Sequence, residues 1–339
     1  MVFHIEHRKV QMTGGSSFII SLPKEWITSH KIEKNDTLGI LSQPDGNLLI
    51  TPRIESEDTL KTKEIDVDDY PSENFLFRVL IGTYIMGYSR LIIKSSKRFE
   101  PGIRECIINF TQIAIGPEII EESNNIIIIK DLLNPKEMPF EKTIKRMYIL
   151  AQGMHGDALT ALIEKDDALA KEVIKRDDDI DRLHWLIGRQ SHIVLRDIIL
   201  SQKMGITLEE AYHYQQISRF LERIGDHAVK IAKNVRKILN YDLDSEVTNQ
   251  ILAASKTSID LLDKSMDAWR QKDINLANET IESLKDLIKT CEDITQSPNE
   301  SNVETYVGIS YIIESIRRTG EYSGDICEII INNLVSDLA

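Results

Sequence analysis

Phe220-Leu221-Glu222-Arg223-Ile224-Gly225-Asp226-His227-Ala228-Val229-Lys230-Ile231-Ala232 sets two carboxylates four residues apart, beside an arginine and a glycine, ahead of a hydrophobic helical tail. Arg318-Thr319-Gly320-Glu321-Tyr322-Ser323-Gly324-Asp325-Ile326 echoes it with Glu321 and Asp325, and the two arginines, Arg223 and Arg318, stand 95 residues apart. A second internal match joins Lys165-Asp166-Asp167-Ala168-Leu169-Ala170-Lys171-Glu172-Val173-Ile174 to Lys272-Asp273-Ile274-Asn275-Leu276-Ala277-Asn278-Glu279-Thr280-Ile281, at an offset of 107 residues. The unequal offsets predict a duplicated unit whose second copy has shorter elements between these points.

The surrounding pattern supports long helices. From Pro139 onward hydrophobic residues recur at spacings of three and four, and breaks near 166, 203–206, 241–244, 273 and 297–301 leave six helices in two three-helix units. Eight of the nine prolines precede residue 140, so the earlier part is built from shorter elements. There, Phe18–Leu22 reads as a strand ended by Pro23, and Lys24–Ser29 as one helical turn. Leu38–Leu41 and Leu48–Ile50 read as strands joined through Pro44-Asp45-Gly46-Asn47. Residues 53–62 are polar and linker-like. Residues 63–134 form a small α/β unit: a helix near Glu73–Gly87, a strand at Leu91–Lys94, a helix after Pro101, and strands near Ala114–Ile120 and Asn125–Lys130. No phosphate-binding glycine pattern or nucleophile elbow occurs in it.

Composition narrows the function classes. The chain has 339 residues and a net charge of −13. Residues 1–52 hold five basic and five acidic side chains, whereas residues 137–339 hold 25 basic and 35 acidic ones. The acidic part is a poor nucleic-acid surface and a good cation surface. No apolar run approaches the roughly 18 residues of a membrane span, and no signal-peptide core is present, so a cytoplasmic chain is expected. Cys106, Cys291 and Cys327 are scattered without metal spacing and read as reduced structural residues.

The acidic pairs are the candidate site. Ile217, Leu221, Ile224, Ala228, Ile231 and Val235 form one helical stripe, with Glu222 and Asp226 roughly opposite it. Ile312, Ile316, Ser323, Ile330 and Leu334 do the same for Glu321 and Asp325, so both pairs are expected to point out of their bundles. They are either solvated acids or, with two such helices side by side, carboxylates holding hard or borderline cations. Asp177-Asp178-Asp179-Ile180-Asp181 offers Asp177 and Asp181 at the same spacing, while the second copy has Leu284 and Ile288 there. The site at Glu321 and Asp325 is therefore expected to be the poorer one. A ferritin-like di-iron centre needs two Glu-x-x-His pairs, and only Glu210-Ala211-Tyr212-His213 fits. No nucleophile–base constellation is found, so the chain is expected not to be an enzyme.

On these residues the helical part resembles the PhoU family of phosphate-signalling proteins. The acidic motif maps onto Glu222/Asp226 and Glu321/Asp325 and more loosely onto Asp177/Asp181. The resemblance implies two three-helix bundles, divalent or trivalent metal ions on the acidic motifs (iron, zinc, magnesium or calcium), and negative control of phosphate uptake. Arg317 stands where the first signature has Glu222, a departure from equivalence.

The segment Arg8-Lys9-Val10, Gly14 to Trp26 and Lys34-Asn35-Asp36 is similar to AbrB/MazE-type swapped-hairpin domains. That resemblance implies a homodimer, with Arg8, Lys9, Ser16, Ser17 and Lys24 as DNA contacts. The whole arrangement resembles archaeal PhoU-related regulators. The expected fold class is multidomain α+β: a swapped-hairpin domain at 1–54, an α/β spacer at 63–134, and an all-α PhoU-like domain at 137–339 with repeats at 137–240 and 244–337. The expected function is a dimeric regulator of phosphate uptake, working with DNA, a phosphate transporter or a sensor kinase. The alternative is a metal-binding adaptor or storage protein whose N-terminal domain only dimerises.

Overall fold

The computed structural model describes residues 5–43, 46–52, 61–296 and 303–335. Pro44 and Asp45 of the expected turn, most of the expected linker at 53–62, and the break at 297–301 lie outside these residues, as do the expected repeat end at 337 and the boundary at 54. The chain divides into two compact units, Met1–Thr59 and Leu60–Ala339.

In the first unit, β1 (Gln11–Thr13) and β2 (Ser17–Ile19) pair antiparallel, Thr13 opposite Ser17. The turn between them holds Gly14 and Gly15 at φ +61° and +84°, the left-handed region that glycine enters freely. Strand β2 ends at Ile19, short of the expected Leu22. Helix α1 (Lys24–Ser29) follows Pro23, and β3 (Gly39–Ser42) pairs antiparallel with β4 (Leu48–Thr51). Among its described residues this unit buries no side chain, and Phe18 and Ile40 are 75% and 65% exposed.

The second unit begins with an α/β layer. Strand β5 (Thr62–Asp66), helix α2 (Glu73–Ile85) and β6 (Arg90–Lys94) make a parallel crossover; α3 (Pro101–Ile113), β7 (Pro117–Glu122) and β8 (Ile126–Asp131) complete a sheet of order β5-β6-β8-β7. Ile65, Leu91, Ile93, Ile127 and Ile129 bury one sheet face against Leu76, Leu80, Tyr84, Ile107 and Phe110. Strand β5 is absent from the expectation because only Ile65 of its five residues is buried, so no alternation marks it.

Helices make up the remainder: α4 (Phe140–Glu164), α5 (Asp167–Lys175), α6 (Asp177–Val194), α7 (Ile198–Met204), α8 (Leu208–Ile238), α9 (Ser245–Gln271), α10 (Ile274–Gln296) and α11 (Val303–Leu334). The expected helix from about 167 to 203 is cut at Arg176 and again at Leu195–Asp197, where Asp197 caps α7 by accepting from Leu200 N at 2.9 Å. The duplication is visible in the turns. Lys165 and Lys272 both close a helix at φ +54°. The aspartate after each accepts from the two backbone amides that start the next helix: Asp166 from Ala168 and Leu169, Asp273 from Asn275 and Leu276.

One buried side chain ties the α/β layer to the helices. Arg189 of α6 pairs with Asp131 at 2.5 Å, the two side chains being 4% and 9% exposed. It also donates to the carbonyls of Tyr84 at 2.6 Å and Tyr88 at 2.9 Å. Its neighbour Gln190 donates to the carbonyls of Pro135 and Met138, in the connection between the two layers. Breaking a buried pair from one side strands the other charge, at about 3–5 kcal/mol. Arg189→Met is therefore expected to lower unfolding free energy by that order in urea titration, with Asp131→Asn less damaging than Arg189→Met. A loss under about 1 kcal/mol would show that Arg189 carries no such role.

Candidate functional site: a carboxylate cluster between α6 and α8

Helices α8 and α11, which carry the two signatures, run antiparallel along one seam. Tyr322 packs against the rings of Phe220 and His227, with centroids 5.9 and 5.7 Å away. A Cβ at Gly308 would lie 2.5 Å from Ile238, and Tyr241 donates to Glu304 at 2.8 Å. Arg223 hydrogen-bonds Tyr322 across the seam, which holds its guanidinium firmly protonated.

On its other flank α8 meets α6. A Cβ at Gly225 would lie 2.7 Å from Ile180 Cδ1, so α6 packs directly onto the signature glycine. The second bundle repeats this contact, since a Cβ at Gly320 would lie 2.2 Å from Leu287 Cδ2. Ile180 and Leu287 are 107 residues apart, and Gly225 and Gly320 are 95 apart. Both offsets seen in the sequence therefore meet in one contact. Gly320→Ala, pressed by Leu287, Leu284 and Leu261, is expected to cost about 1–3 kcal/mol in denaturant unfolding by overpacking.

The close approach corrects the expected outward orientation of the first pair. Glu222 and Asp226 are half-buried, and they share an electrostatic neighbourhood with Asp177 and Asp181 of α6. Burial, then Asp177, Glu222 and Asp226, push the Asp181 carboxyl up to about 7. Burial, then Asp226, push Glu222 up to about 7 against the pull of Arg223. Asp177 is raised by burial and by Asp226. Four acids thus share one neighbourhood, with Asp177 and Asp181 beside the first pair.

The second pair has different company. Glu321 accepts from Arg317 and, at 3.0 Å, from Arg318. Burial pushes Glu314 up, but hydrogen bonds from Arg317 and Arg318 win and hold it below the usual carboxylate range. Asp325 is raised by burial and by Glu328, and under the 95-residue offset it corresponds to Lys230, not to Asp226. The donor set of the first cluster, all carboxylate oxygen, suits a hard cation. As the side chains stand, among the described residues no three His, Cys, Asp or Glu groups converge into a ready-made ligand set.

Other candidates fall elsewhere. Glu210 and Thr207 form a reciprocal helix cap at 2.8 and 3.0 Å, which uses the one Glu-x-x-His glutamate locally. His184 contacts Ser218 Oγ at 3.0 Å, and His227 packs at the seam. His155, which no sequence signal marks, is fully buried with Nε2 2.9 Å from Ser255 Oγ; burial, then His227, lower it to about 4. The N-terminal candidates Arg8, Lys9, Ser16, Ser17 and Lys24 are all exposed, and Arg8 is paired with Glu6.

Taken together, this is a tandem helical-bundle protein with one carboxylate-rich half and an N-terminal hairpin module. The PhoU domain family matches residues 144–235 and 251–330, just over half of the chain, and the chain belongs to that family. Residues 11–58 match the family of MazE, the bacterial antitoxin that recognises its toxin. The phosphate-specific transport system accessory protein PhoU homolog of Clostridium acetobutylicum is 26% identical over 190 residues, covering 54% of this chain and 85% of that protein. The homolog of the same name in Caulobacter vibrioides is 27% identical over 195 residues, covering 55% and 83%. The crystal structure of the phosphate transport system regulatory protein PhoU from Streptococcus pneumoniae superposes with a TM-score of 0.51 at 21% identity, over 59% of this chain and 95% of that one. Among the described residues no helix is long and apolar enough to cross a membrane.

The raised carboxylates give a pH signature. Their folded values exceed the unfolded ones of 3.8 and 4.5, so the folded chain holds protons that the unfolded chain releases. Their contribution is full at low pH and is lost as pH rises toward and through about 7. In chelator, Asp181→Asn and Glu222→Gln are expected to melt higher than wild type at pH about 7.5, with the gap closing near pH about 4. A gap independent of pH would rule out this clustering of charge.

Proposed function

We propose that this chain is a dimeric regulator of phosphate uptake whose first helical bundle responds to a divalent or trivalent cation held by Asp177, Asp181, Glu222 and Asp226. The observation that carries the reading is the four-acid cluster at the α6–α8 contact of a chain in the PhoU family, whose relatives are named as accessory proteins of phosphate-specific transport. A cation would draw the four acids together, displace the protons on Asp181 and Glu222, and tighten α6 against α8. Because α6 also carries Arg189, bonded to the α/β layer, such tightening would reach that layer and present a cation-dependent surface to a phosphate transporter or sensor kinase. Iron and zinc suit the role, as do magnesium and calcium, since all accept carboxylate oxygen.

The N-terminal unit would join two chains. A unit of this size with no buried side chain among its described residues does not offset its own conformational entropy by itself, and its exposed Phe18 and Ile40 supply the apolar surface a second copy would cover. Arg8, Lys9, Ser16, Ser17 and Lys24 would then face DNA. The adaptor or storage reading draws support from the neutrality of residues 1–52 and from the Arg8–Glu6 pair, which leave little net charge for phosphate neutralisation.

Gel-shift titration on the promoter of a phosphate-transport operon, at several salt concentrations, separates the two. The regulator reading expects binding that Arg8→Ala with Lys9→Ala weakens uniformly, with a shallower salt slope. Binding absent from wild type, while Asp226→Asn strips metal found by elemental analysis, would leave the adaptor. Wild-type metal at background level would remove the cation from the proposal.

A further inference from the structure

The two bundles place chemically opposite groups at equivalent points. Because Gly225 meets Ile180 in the first and Gly320 meets Leu287 in the second, the contact itself aligns α8 with α11 and α6 with α10. Under that alignment Asp177, Asp181, Glu222 and Asp226 become Leu284, Ile288, Arg317 and Glu321. Three of four carboxylates are gone, two replaced by aliphatic side chains and one by a guanidinium. Arg317, whose side chain is 25% exposed, donates Nε and Nη2 to Glu314 at 2.9 and 2.8 Å and Nη1 to Glu321. Arg318 donates Nε to Glu314 at 2.9 Å and Nη1 to Glu321 at 3.0 Å. Two arginines thus match two glutamates within less than three turns of one helix.

We propose that the second bundle is the cation-independent half: the Arg317 guanidinium does there what the first bundle leaves to a cation from solution, so each chain takes a cation at one bundle only. A guanidinium is permanently charged, offers a planar fork to two carboxylates, and is tethered to the backbone, so it neither dissociates nor yields to a chelator. In the first bundle Glu222 stands where the second has Arg317. Arg223, the counterpart of Arg318, is bonded to Tyr322, and it and Arg219 temper Glu222 through charge alone, so the four acids have no guanidinium fork of their own. One half of the duplication is then a fixed reference and the other a variable element. The inequality between halves rests on the cation reading of the first cluster, whereas the role of Arg317 does not.

The test uses the full chain stripped with chelator, Mn2+ as the probe, and hydrogen exchange read by mass spectrometry. Mn2+ binding is expected to vanish in the Asp181→Asn, Glu222→Gln double variant and to survive in Glu321→Gln. In chelated protein, Arg317→Gln is expected to speed amide exchange in α10 and α11 about ten-fold, the loss of one set of charge-assisted hydrogen bonds, while α6 is unchanged. Arg317→Lys, which keeps the charge but not the fork, should recover part of the protection. Mn2+ binding that falls with Glu321→Gln overturns the proposal, as does an Arg317→Gln chain whose α10 and α11 exchange like wild type. A wild type that binds no Mn2+ overturns the unequal response together with the cation reading, and the exchange comparison then decides the role of Arg317 by itself.

Discussion

Close approach of helices at a glycine is the constraint on which the helical unit depends. At Gly225 the backbone of α8 admits Ile180 of α6, and at Gly320 the backbone of α11 admits Leu287 of α10. With the intervening methyl groups absent, the side chains one residue away from each glycine are carried into the crevice as well. In the first bundle those side chains include Asp226 and, one turn earlier, Glu222. Half-burial then follows from packing, and the raised proton affinity of Glu222 follows from half-burial, from Asp226 and from Asp177 across the gap. The same geometry in the second bundle produces no comparable cluster, because the groups brought in are Arg317, Glu321 and aliphatic side chains.

The antiparallel seam between α8 and α11 makes one body of two copies. Tyr322 sits between Phe220 and His227 and accepts from Arg223, so the arginine of the first signature is spent on holding the second helix. That engagement removes Arg223 as a direct counter-ion for the acids beside it, although its charge still tempers Glu222. The α/β layer joins the same body through Arg189 and Asp131, and so the helix bearing Asp177 and Asp181 at its start is clamped near its end. A displacement at the acidic end of α6 has a rigid path to the sheet.

Much of this was legible beforehand, and the reasons differ by element. Helix ends at Lys165 and Lys272 were readable because a lysine-aspartate pair at a helix junction repeats in the chain, and the aspartate caps the next helix. The duplicated bundles and the shortage of acids in the second were readable for the same reason. Strand β5 was not, because an edge strand with one buried residue has no periodic signature. Nor was the cut at Arg176, which no proline, glycine or side-chain cap marks.

What the sequence by itself determined was local: periodicity, caps, turn glycines, the two offsets, and the Arg317–Glu321 pair within one helical turn. These depend on neighbours a few residues apart, whose geometry a helix or hairpin dictates. Tertiary structure alone decided which flank of α8 would be covered, and hence that Glu222 and Asp226 would be half-buried and not face water. It alone decided that Arg189 would find Asp131, 58 residues earlier. A helical wheel locates a core stripe but not a second partner on the adjoining flank. That partner depends on how closely two backbones approach, and here a missing Cβ sets the distance.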